Sequence, residues 1–390
     1  MTSSLSQELE SRFIDLFSVA PQVVVRAPGR VNLIGEHTDY NDGFVFPCAI
    51  ERSIWMAASP RSDGQVRAYA LNFEQSSTFP LNAIEKTQNP DEAWSNYLRA
   101  IAAILQREGY TLTGVNVATY GTVPIGSGLS SSASMLVAGG LLLASAAGID
   151  IDLKRLALLA QRAEIEFVGV NVGIMDQFIS ALGQRDHALF IDTRTLEYEA
   201  VPLPSEGVQI VIADTNKKRG LVDSEYNTRH SECEQAVATL KENLHSIVAL
   251  RDVTIEEFER FAHTLPEVVR RRAKHVVTEN TRVLESIDAL KSGKLSRFGE
   301  LMNASHKSLK DDYEVSCVEL DALVEASRSM DGVYGSRMTG AGFGGCTVSL
   351  VANSEVEDFK ARVPALYKAA TGLDTTIYVT KAEQGAERLR

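Results

Sequence analysis

The chain is short of the features that announce several common protein classes. It carries only four cysteines, at 48, 233, 317 and 346, and no two of them stand at CxxC spacing. Neither a disulfide framework nor a zinc knuckle is suggested, and they read as reduced thiols used mostly for packing. Basic residues are in deficit: 39 Lys and Arg against 51 Asp and Glu give a net charge of −12. That argues against broad nucleic-acid binding, so a polyanionic ligand would have to meet a local site. Long apolar runs are missing too. The best candidate, residues 133–147, is interrupted by Ser134, Gly139, Gly140 and Ser145 and falls short of the ~20 residues that a bilayer span needs. The opening MTSSLSQELESRF lacks a basic region followed by an apolar stretch, so no secretory signal and no membrane association are read, and a cytoplasmic enzyme is expected. No tract is compositionally biased and no internal repeat is apparent.

What is present is an ordinary globular composition, 44% hydrophobic and 23% charged, over 390 residues. That is long enough for two domains. Helical spacing predicts helices at 5–18, 91–108, 131–147 and 152–168, and strand signals appear at 44–58, 65–71, 113–120, 188–192 and 208–213. QVVVRAPG reads as a strand ended by Pro28 and Gly29. The stretch PLPSEG at 202–207 marks the expected boundary between a domain of residues 1–205 and one of 206–390. The second half is helix-rich, with helices at 223–245, 254–263, 266–291, 294–309, 316–329 and 354–370, and late strands at 346–352 and 375–382. Thr254 with Glu257, and Ser316 with Glu319, both fit a capping box. Mixed strands and helices in both halves suggest an α+β fold.

Three stretches carry the chemistry. PIGSGLSSSAS, residues 124–134, precedes an apolar helix, yet no G-x-x-x-x-G-K-[ST] string exists and GSGLSS lacks the third glycine of G-x-G-x-x-G. A glycine turn leading into a helix N-terminus can bind phosphate through unpaired N–H groups and the helix dipole, with no lysine. It can also be a serine-capped helix with no ligand. The string alone does not choose. The second stretch, GRVNLIGEHTDYNDG at 29–43, gathers Arg30, Glu36, His37, Asp39 and Asp42 among three glycines, a set suited to pairing sugar hydroxyls or merely to a solvated loop. The third, RMTGAGFGGC at 337–346, satisfies G-x-G-x-x-G, but a strand follows rather than a helix, so the dinucleotide context fails.

Together these stretches resemble, in order and separation along the chain, the three motifs of the GHMP small-molecule kinases, and GRVNLIGEHTDYNDG resembles the galactokinase signature in particular. GIMDQFISALG at 173–183 and SEYNTR at 224–229 extend the likeness over nearly the whole chain. One departure is Ala341, where many relatives have glycine; little loss is expected provided that position does not need positive φ. The resemblance implies a two-domain GHMP fold, a ribosomal-protein-S5-like N-terminal domain and a ferredoxin-like, helix-rich C-terminal domain, with the active site between them. It implies transfer of the ATP γ-phosphate to the C1 hydroxyl of galactose, with Mg2+ as cofactor and galactose and ATP as the partners. A monomer is expected.

By the same resemblance Asp176 is the candidate base and Arg30 its charge-balancing neighbour. Glu36, His37, Thr38, Asp39, Gly173 and Tyr226 are the candidate sugar-binding residues. Gly126, Ser127, Gly128, Leu129, Ser130, Ser131 and Ser132 would cradle the ATP phosphates. Ser132 and Glu164 match metal-associated positions, Glu164 standing twelve residues before Asp176 as the resemblance requires. A kinase for another sugar, such as N-acetylgalactosamine, and a galactose- and ATP-binding sensor without turnover are the alternatives. The known sensor type lacks residues within the serine motif, and here GLSSSAS is complete.

Overall fold

The computed structural model describes residues 2–204, 206–217 and 222–390. Its largest sheet has six strands in the order Glu387–Arg388, Val23–Asn32, Pro47–Arg61, Gly114–Gly121, Gln65–Ala70, Gln75–Pro80. All neighbours are antiparallel except Gln65–Ala70 and Gly114–Gly121. The alternation of the strands divides its side chains between two layers. Val23, Val25 and Ala27 face a core shared with helices Asn96–Arg107 and Ser131–Ala146, while Val24, Trp55 and Ala57 pack under the first helix, Thr2–Phe17, against Leu9 and Phe13.

The expected end of the first strand at Pro28 and Gly29 is corrected. The strand continues to Asn32, with a register shift between Pro28 and Arg30. Proline lacks the ladder N–H, and the chain answers with a bulge. The Pro28 carbonyl accepts the hydroxyls of Ser134 and Ser180, both at 2.7 Å, and a Cβ on Gly29 would lie 2.6 Å from the Leu129 carbonyl oxygen. The proline–glycine pair is therefore the point where the phosphate-type loop closes on the sheet.

A second sheet runs Val333–Thr339, Cys346–Ala352, Val208–Asp214, Thr376–Thr380, all antiparallel. Ile210 and Ile212 face a core with Phe298, Leu301, Met302 and, from the first half of the chain, Val31, Leu33 and Phe46. Val211 and Ala213 face the opposite core with Leu323, Phe359, Val363 and Tyr367. At roughly 1.5–3 kcal/mol for each large apolar side chain fully buried, the first of these layers is a substantial joint between the two halves. A small third sheet, Phe44–Val45, His187–Asp192, Tyr198–Pro202, bridges the halves beside it. The chain's last strand returns to the first sheet, where Arg388 pairs with Val25.

Local chemistry explains other differences from the expected elements. The helix expected at 152–168 is α-helical over Leu153–Ala163 and then widens to a π-helix over Glu164–Val168, ended by Gly169 at φ 90°. Thr254 and Glu257 do form a capping box. Ser316 does not cap its helix: the N-cap is Cys317, because the Ser316 hydroxyl is spent on Asp321 at 2.6 Å. Strands Val333–Thr339, Gln75–Pro80 and Tyr198–Pro202 and helix Met175–Leu182 went unread, all too short or too polar to show a clear period.

Candidate functional site

A cleft of about 460 Å³ is lined by Arg30, Glu36, His37, Asp39, Gly126, Gly128, Ser130, Ser131, Ser132, Glu164, Gly173, Asp176, Tyr226, Gly340 and Ala341. It thus collects residues from all three sequence stretches and from the two extensions.

Its centre is Asp176, in the first turn of helix Met175–Leu182, with a side chain 28% exposed toward the cleft. Arg30 reaches it from the bulged strand in a bidentate pair, Nε to Oδ1 and Nη2 to Oδ2, both 2.7 Å. The third guanidinium nitrogen, Nη1, donates to the Gly128 carbonyl at 2.6 Å, so one arginine joins the carboxylate to the glycine loop. A planar fork suits this double duty in a way that an ammonium cannot. The Ser130 hydroxyl also donates to Asp176 Oδ2.

On one side lies the acidic loop. Glu36 is 2% exposed, and its Oε1 accepts the Gly340 N–H at 2.7 Å and faces Arg337 Nη1 at 3.4 Å. His37 Nε2 meets the Ala341 carbonyl at 3.2 Å, and its pKa is lowered to about 3 by burial first and then by His275, Arg229 and Arg337. Asp39 is raised to about 7 by burial, then by the carboxylates of Asp176 and Glu36. Its carboxylate fills the space above Gly173, where any Cβ would overlap it. The Gly173 N–H bonds the Tyr226 hydroxyl, and burial followed by Asp39 and Asp176 raises that phenol well above its ordinary pKa. Carboxylates, a neutral imidazole and a phenol converging on one small volume are a set of donors and acceptors for a polyhydroxylated ligand.

Thr38 is different. It lies outside the cleft lining, fully buried, and its hydroxyl donates to the carbonyls of Gly35 at 2.9 Å and Phe44 at 2.6 Å, which shapes the loop from behind. Asp42, part of the same charged cluster, turns outward to Arg194 at 3.1 Å.

On the other side lies the glycine loop. Gly126 and Gly128 take φ of 73° and 82°, and Ser130, the helix N-cap, takes φ 62° with no side-chain cap bond. The serine-cap reading of this stretch is thereby set aside: the Ser130 hydroxyl serves Asp176, and the first N–H groups of helix Ser131–Ala146 point where the dipole is positive. Ser127 and Leu129 are not among the lining residues. The Ser127 hydroxyl donates to the Pro124 carbonyl at 2.8 Å, and Leu129 is sealed in the core, so only their backbones are left to offer.

Behind this loop, Glu164 is 5% exposed at the α-to-π junction, a helix irregularity common at functional sites. Burial, then the charge of Asp176, raises it to about 7, partly offset by hydrogen bonds from Ser132 and from Gln177 Nε2 at 2.6 Å. Among the described residues no group of three or more His, Cys, Asp or Glu side chains could hold a metal by itself. A buried carboxylate with no cation partner among the described residues, beside a hydroxyl and behind the glycine loop, still fits Mg2+, which takes one or two protein oxygens and completes its shell with phosphate and water.

Sequence reasoning missed three parts. The third motif, expected as a glycine-rich turn lining the site near the nucleotide, also holds the acidic loop: the Gly340 N–H and the Ala341 carbonyl bond the side chains of Glu36 and His37, and a Cβ on Gly340 would stand 3.1 Å from the Gly128 carbonyl oxygen. Ala341 has no positive φ, unlike Gly340 at 83° and Gly342 at 86°, so alanine costs nothing there. Arg337, fully buried in a strand, went unremarked; a cation amid SRMTG in an otherwise buried strand was the available signal. Beside the glycine loop a second, apolar hollow of about 480 Å³ is lined by Phe73, Trp94, Tyr97, Val123, Ile125 and Met135 together with Ser131 and Ser132. Its aromatic residues, Phe73 and the pair Trp94 and Tyr97, match none of the motifs read in the sequence.

Comparison with known proteins agrees with this geometry. The galactokinase galactose-binding signature matches residues 11–60, the GHMP kinase N-terminal domain 96–184 and the GHMP kinase C-terminal domain 286–369. The chain is 49% identical to a galactokinase of Roseiflexus sp. (strain RS-1), over 98% of this chain and 97% of that one. It is 44% identical to a galactokinase of Halalkalibacterium halodurans, over 99% and 98%. The crystal structure of Lactococcus lactis galactokinase complexed with galactose superposes with a TM-score of 0.94 at 39% identity, covering 98% of this chain and 99% of that one. The mevalonate kinase of Methanococcus jannaschii, at 20% identity and TM-score 0.67 over 93% and 98%, shares the fold.

Proposed function

The chain belongs to the galactokinases, within the GHMP kinases, and from that membership we propose that it transfers the γ-phosphate of ATP to the anomeric C1 hydroxyl of α-D-galactose, giving galactose 1-phosphate and ADP. The observation that carries the reading is the bidentate Arg30–Asp176 pair standing between a polar basket and a helix N-terminus in one cleft.

Phosphoryl transfer asks a protein to position two substrates and offset charge. In this reading Asp176 accepts the proton of the C1 hydroxyl as the sugar oxygen attacks the γ-phosphorus and the bond to the β-phosphate oxygen breaks. Arg30 keeps the carboxylate aimed and balances the charge that moves across the site. Glu36, His37, Asp39, Tyr226 and the backbone at Gly173 hold the sugar; a site of paired buried polar groups rejects analogues that leave them unpaired. The backbone of residues 126–132 and the hydroxyls of Ser131 and Ser132 hold the phosphates, and the neighbouring apolar hollow seats the adenine, with Trp94, Tyr97 and Phe73 as its aromatic walls. Ser132 and Glu164 would hold Mg2+, which when bound offsets charge on the β- and γ-phosphates. A monomer, the division at 202–207 and a cytoplasmic setting remain part of the proposal.

The test is a coupled ADP-release assay with galactose, glucose and N-acetylgalactosamine, run beside Asp176→Ala. Galactose-dependent release that the substitution nearly abolishes, with ATP binding retained, is expected. Release driven best by N-acetylgalactosamine would move the chain to the rival sugar, and binding of both ligands without release would make it a sensor.

A further inference from the structure

His37 sits in the left-handed backbone region at φ 61°, a strained place for a residue with a side chain, and something must hold it there. Its surroundings form a circuit. Nδ1 is 2.8 Å from the Tyr40 hydroxyl, which is 2.7 Å from the Tyr313 hydroxyl, which is 3.2 Å from the Cys233 sulfur. Asn41 completes it: its side-chain amide bonds the Cys233 sulfur and donates to the His37 carbonyl at 3.0 Å. The members come from the sugar loop, helix Val222–Leu240 and the turn after helix Leu295–Asp311.

The direction of every proton follows. The Ala341 carbonyl can only accept, so His37 Nε2 carries the hydrogen. Burial and nearby cations keep the ring neutral, so Nδ1 is bare and takes the Tyr40 proton. Tyr40 has then spent its one proton, and Tyr313 must donate to it; Tyr313 in turn accepts from the Cys233 thiol. No alternative ordering satisfies all these contacts with a neutral imidazole.

We propose that Tyr40, Tyr313, Cys233 and Asn41 are positioning residues whose closed ring of hydrogen bonds, given its direction by the Ala341 carbonyl, holds His37 as the Nε2–H tautomer, so that its one hydrogen is shared between that carbonyl and the sugar and no bare ring nitrogen faces the sugar. The inference rests on the sugar-kinase reading and adds a specificity element to it. Remote side chains decide which hydroxyl orientation the imidazole accepts, and their influence falls with distance along the ring. Aromatic packing keeps the ring dry: Tyr313 lies 4.9 Å from the His37 ring and 4.6 Å from that of His275, and Tyr226 lies 5.1 Å from Tyr40, all centroid to centroid.

The test is 15N NMR of the full chain with labelled histidine, the His37 signals assigned by their loss in His37→Asn. A protonated Nε2 and a bare Nδ1, on both sides of neutral pH, are expected; a protonated Nδ1 would overturn the ring outright, without any variant needing to fold. In kinetics, Tyr40→Phe should raise the galactose KM about tenfold, the size of one buried polar group left unpaired, with the ATP KM and kcat little changed. It should also shift the tautomer signals. Tyr313→Phe should do less and Cys233→Ala least. Equal effects from all three, or a tautomer indifferent to Tyr40→Phe, would overturn the proposal. Wild-type protein with the expected tautomer but no galactose-dependent turnover would instead sink the sugar-kinase reading and leave the ring standing.

Discussion

The two ends of the cleft are built by opposite means. At the end proposed to hold the sugar, side chains do the work and are themselves held by other side chains and backbone: Glu36 by Gly340 and Arg337, His37 by Tyr40 and Ala341, Asp39 wedged over Gly173. At the end proposed to hold the phosphates, the backbone does the work. Glycines at positive φ expose N–H groups, and the apolar Ile125 stands 69% exposed beside them. A hexose presents hydroxyls that must be met one by one, which calls for fixed, buried polar partners. A triphosphate presents diffuse charge, which a helix tip and a loop of amides meet without side-chain precision. Arg30, gripping Asp176 and the Gly128 carbonyl at once, is where the two designs join.

The largest effect should come from that joint. Asp176→Ala is expected to lower kcat by roughly a thousandfold, as loss of a general base does, while equilibrium binding of ATP stays within a few fold. Unchanged turnover would remove the carboxylate from its role. Alanine at one glycine from each end sharpens the contrast. Gly173→Ala would force Asp39 out of place and should raise the galactose KM by a factor of about 100. Gly126→Ala meets nothing within 4 Å and should cost only the strain of φ 73°, about 1 kcal/mol, seen as a severalfold rise in the ATP KM. Comparable losses at both would mean that the ends are not built differently.

These contrasts also explain what could be read in the sequence. The acidic loop was legible because its chemistry is concentrated in Glu36, His37 and Asp39 within four positions. The phosphate loop was legible as glycine and serine but not in its details. Nothing in GSGLSSSAS says that the Ser130 hydroxyl turns to Asp176 or that Ser127 turns to Pro124, since those choices depend on a residue 46 positions away in the first case and on a local turn in the second. Thr38 looked like its neighbours and proved to be a backbone brace. Trp94 and Tyr97 carry no local signal, because their importance comes only from which elements the fold sets beside the glycine loop, whereas Arg337 offered one, a cation within a buried strand, that was not used. The periodic helices were read well. The short helix bearing Asp176 and the strand bearing Arg337 were missed.

Two smaller effects test the electrostatics of each end. Ser132→Ala should raise the Mg2+ concentration needed for half-maximal turnover severalfold, with galactose KM steady; unchanged metal dependence would count against that hydroxyl. At the sugar end, Asp39 has a folded pKa of about 7 against an ordinary 3.8, so the folded state binds more protons than the unfolded one between these values. Stability of the free protein should therefore fall, on this group's account, as pH rises from about 4 to about 7, and stay flat above. Asp39→Asn should remove that slope and leave the free protein about 1–2 kcal/mol more stable above pH 7, less than the full shift implies because the cleft is open to water. Denaturant titrations at several pH values check this, and a variant less stable than wild type above neutral pH would reverse the sign.

The most direct test of the whole account is a crystal structure of the protein with galactose, Mg2+ and a nonhydrolysable ATP analogue. The C1 hydroxyl is expected within hydrogen-bond reach of the Asp176 carboxylate, about 2.6–3.2 Å, with the γ-phosphate on its far side at the tip of helix Ser131–Ala146. A sugar bound with C1 turned away from Asp176, or a triphosphate seated elsewhere than residues 126–132, would contradict it.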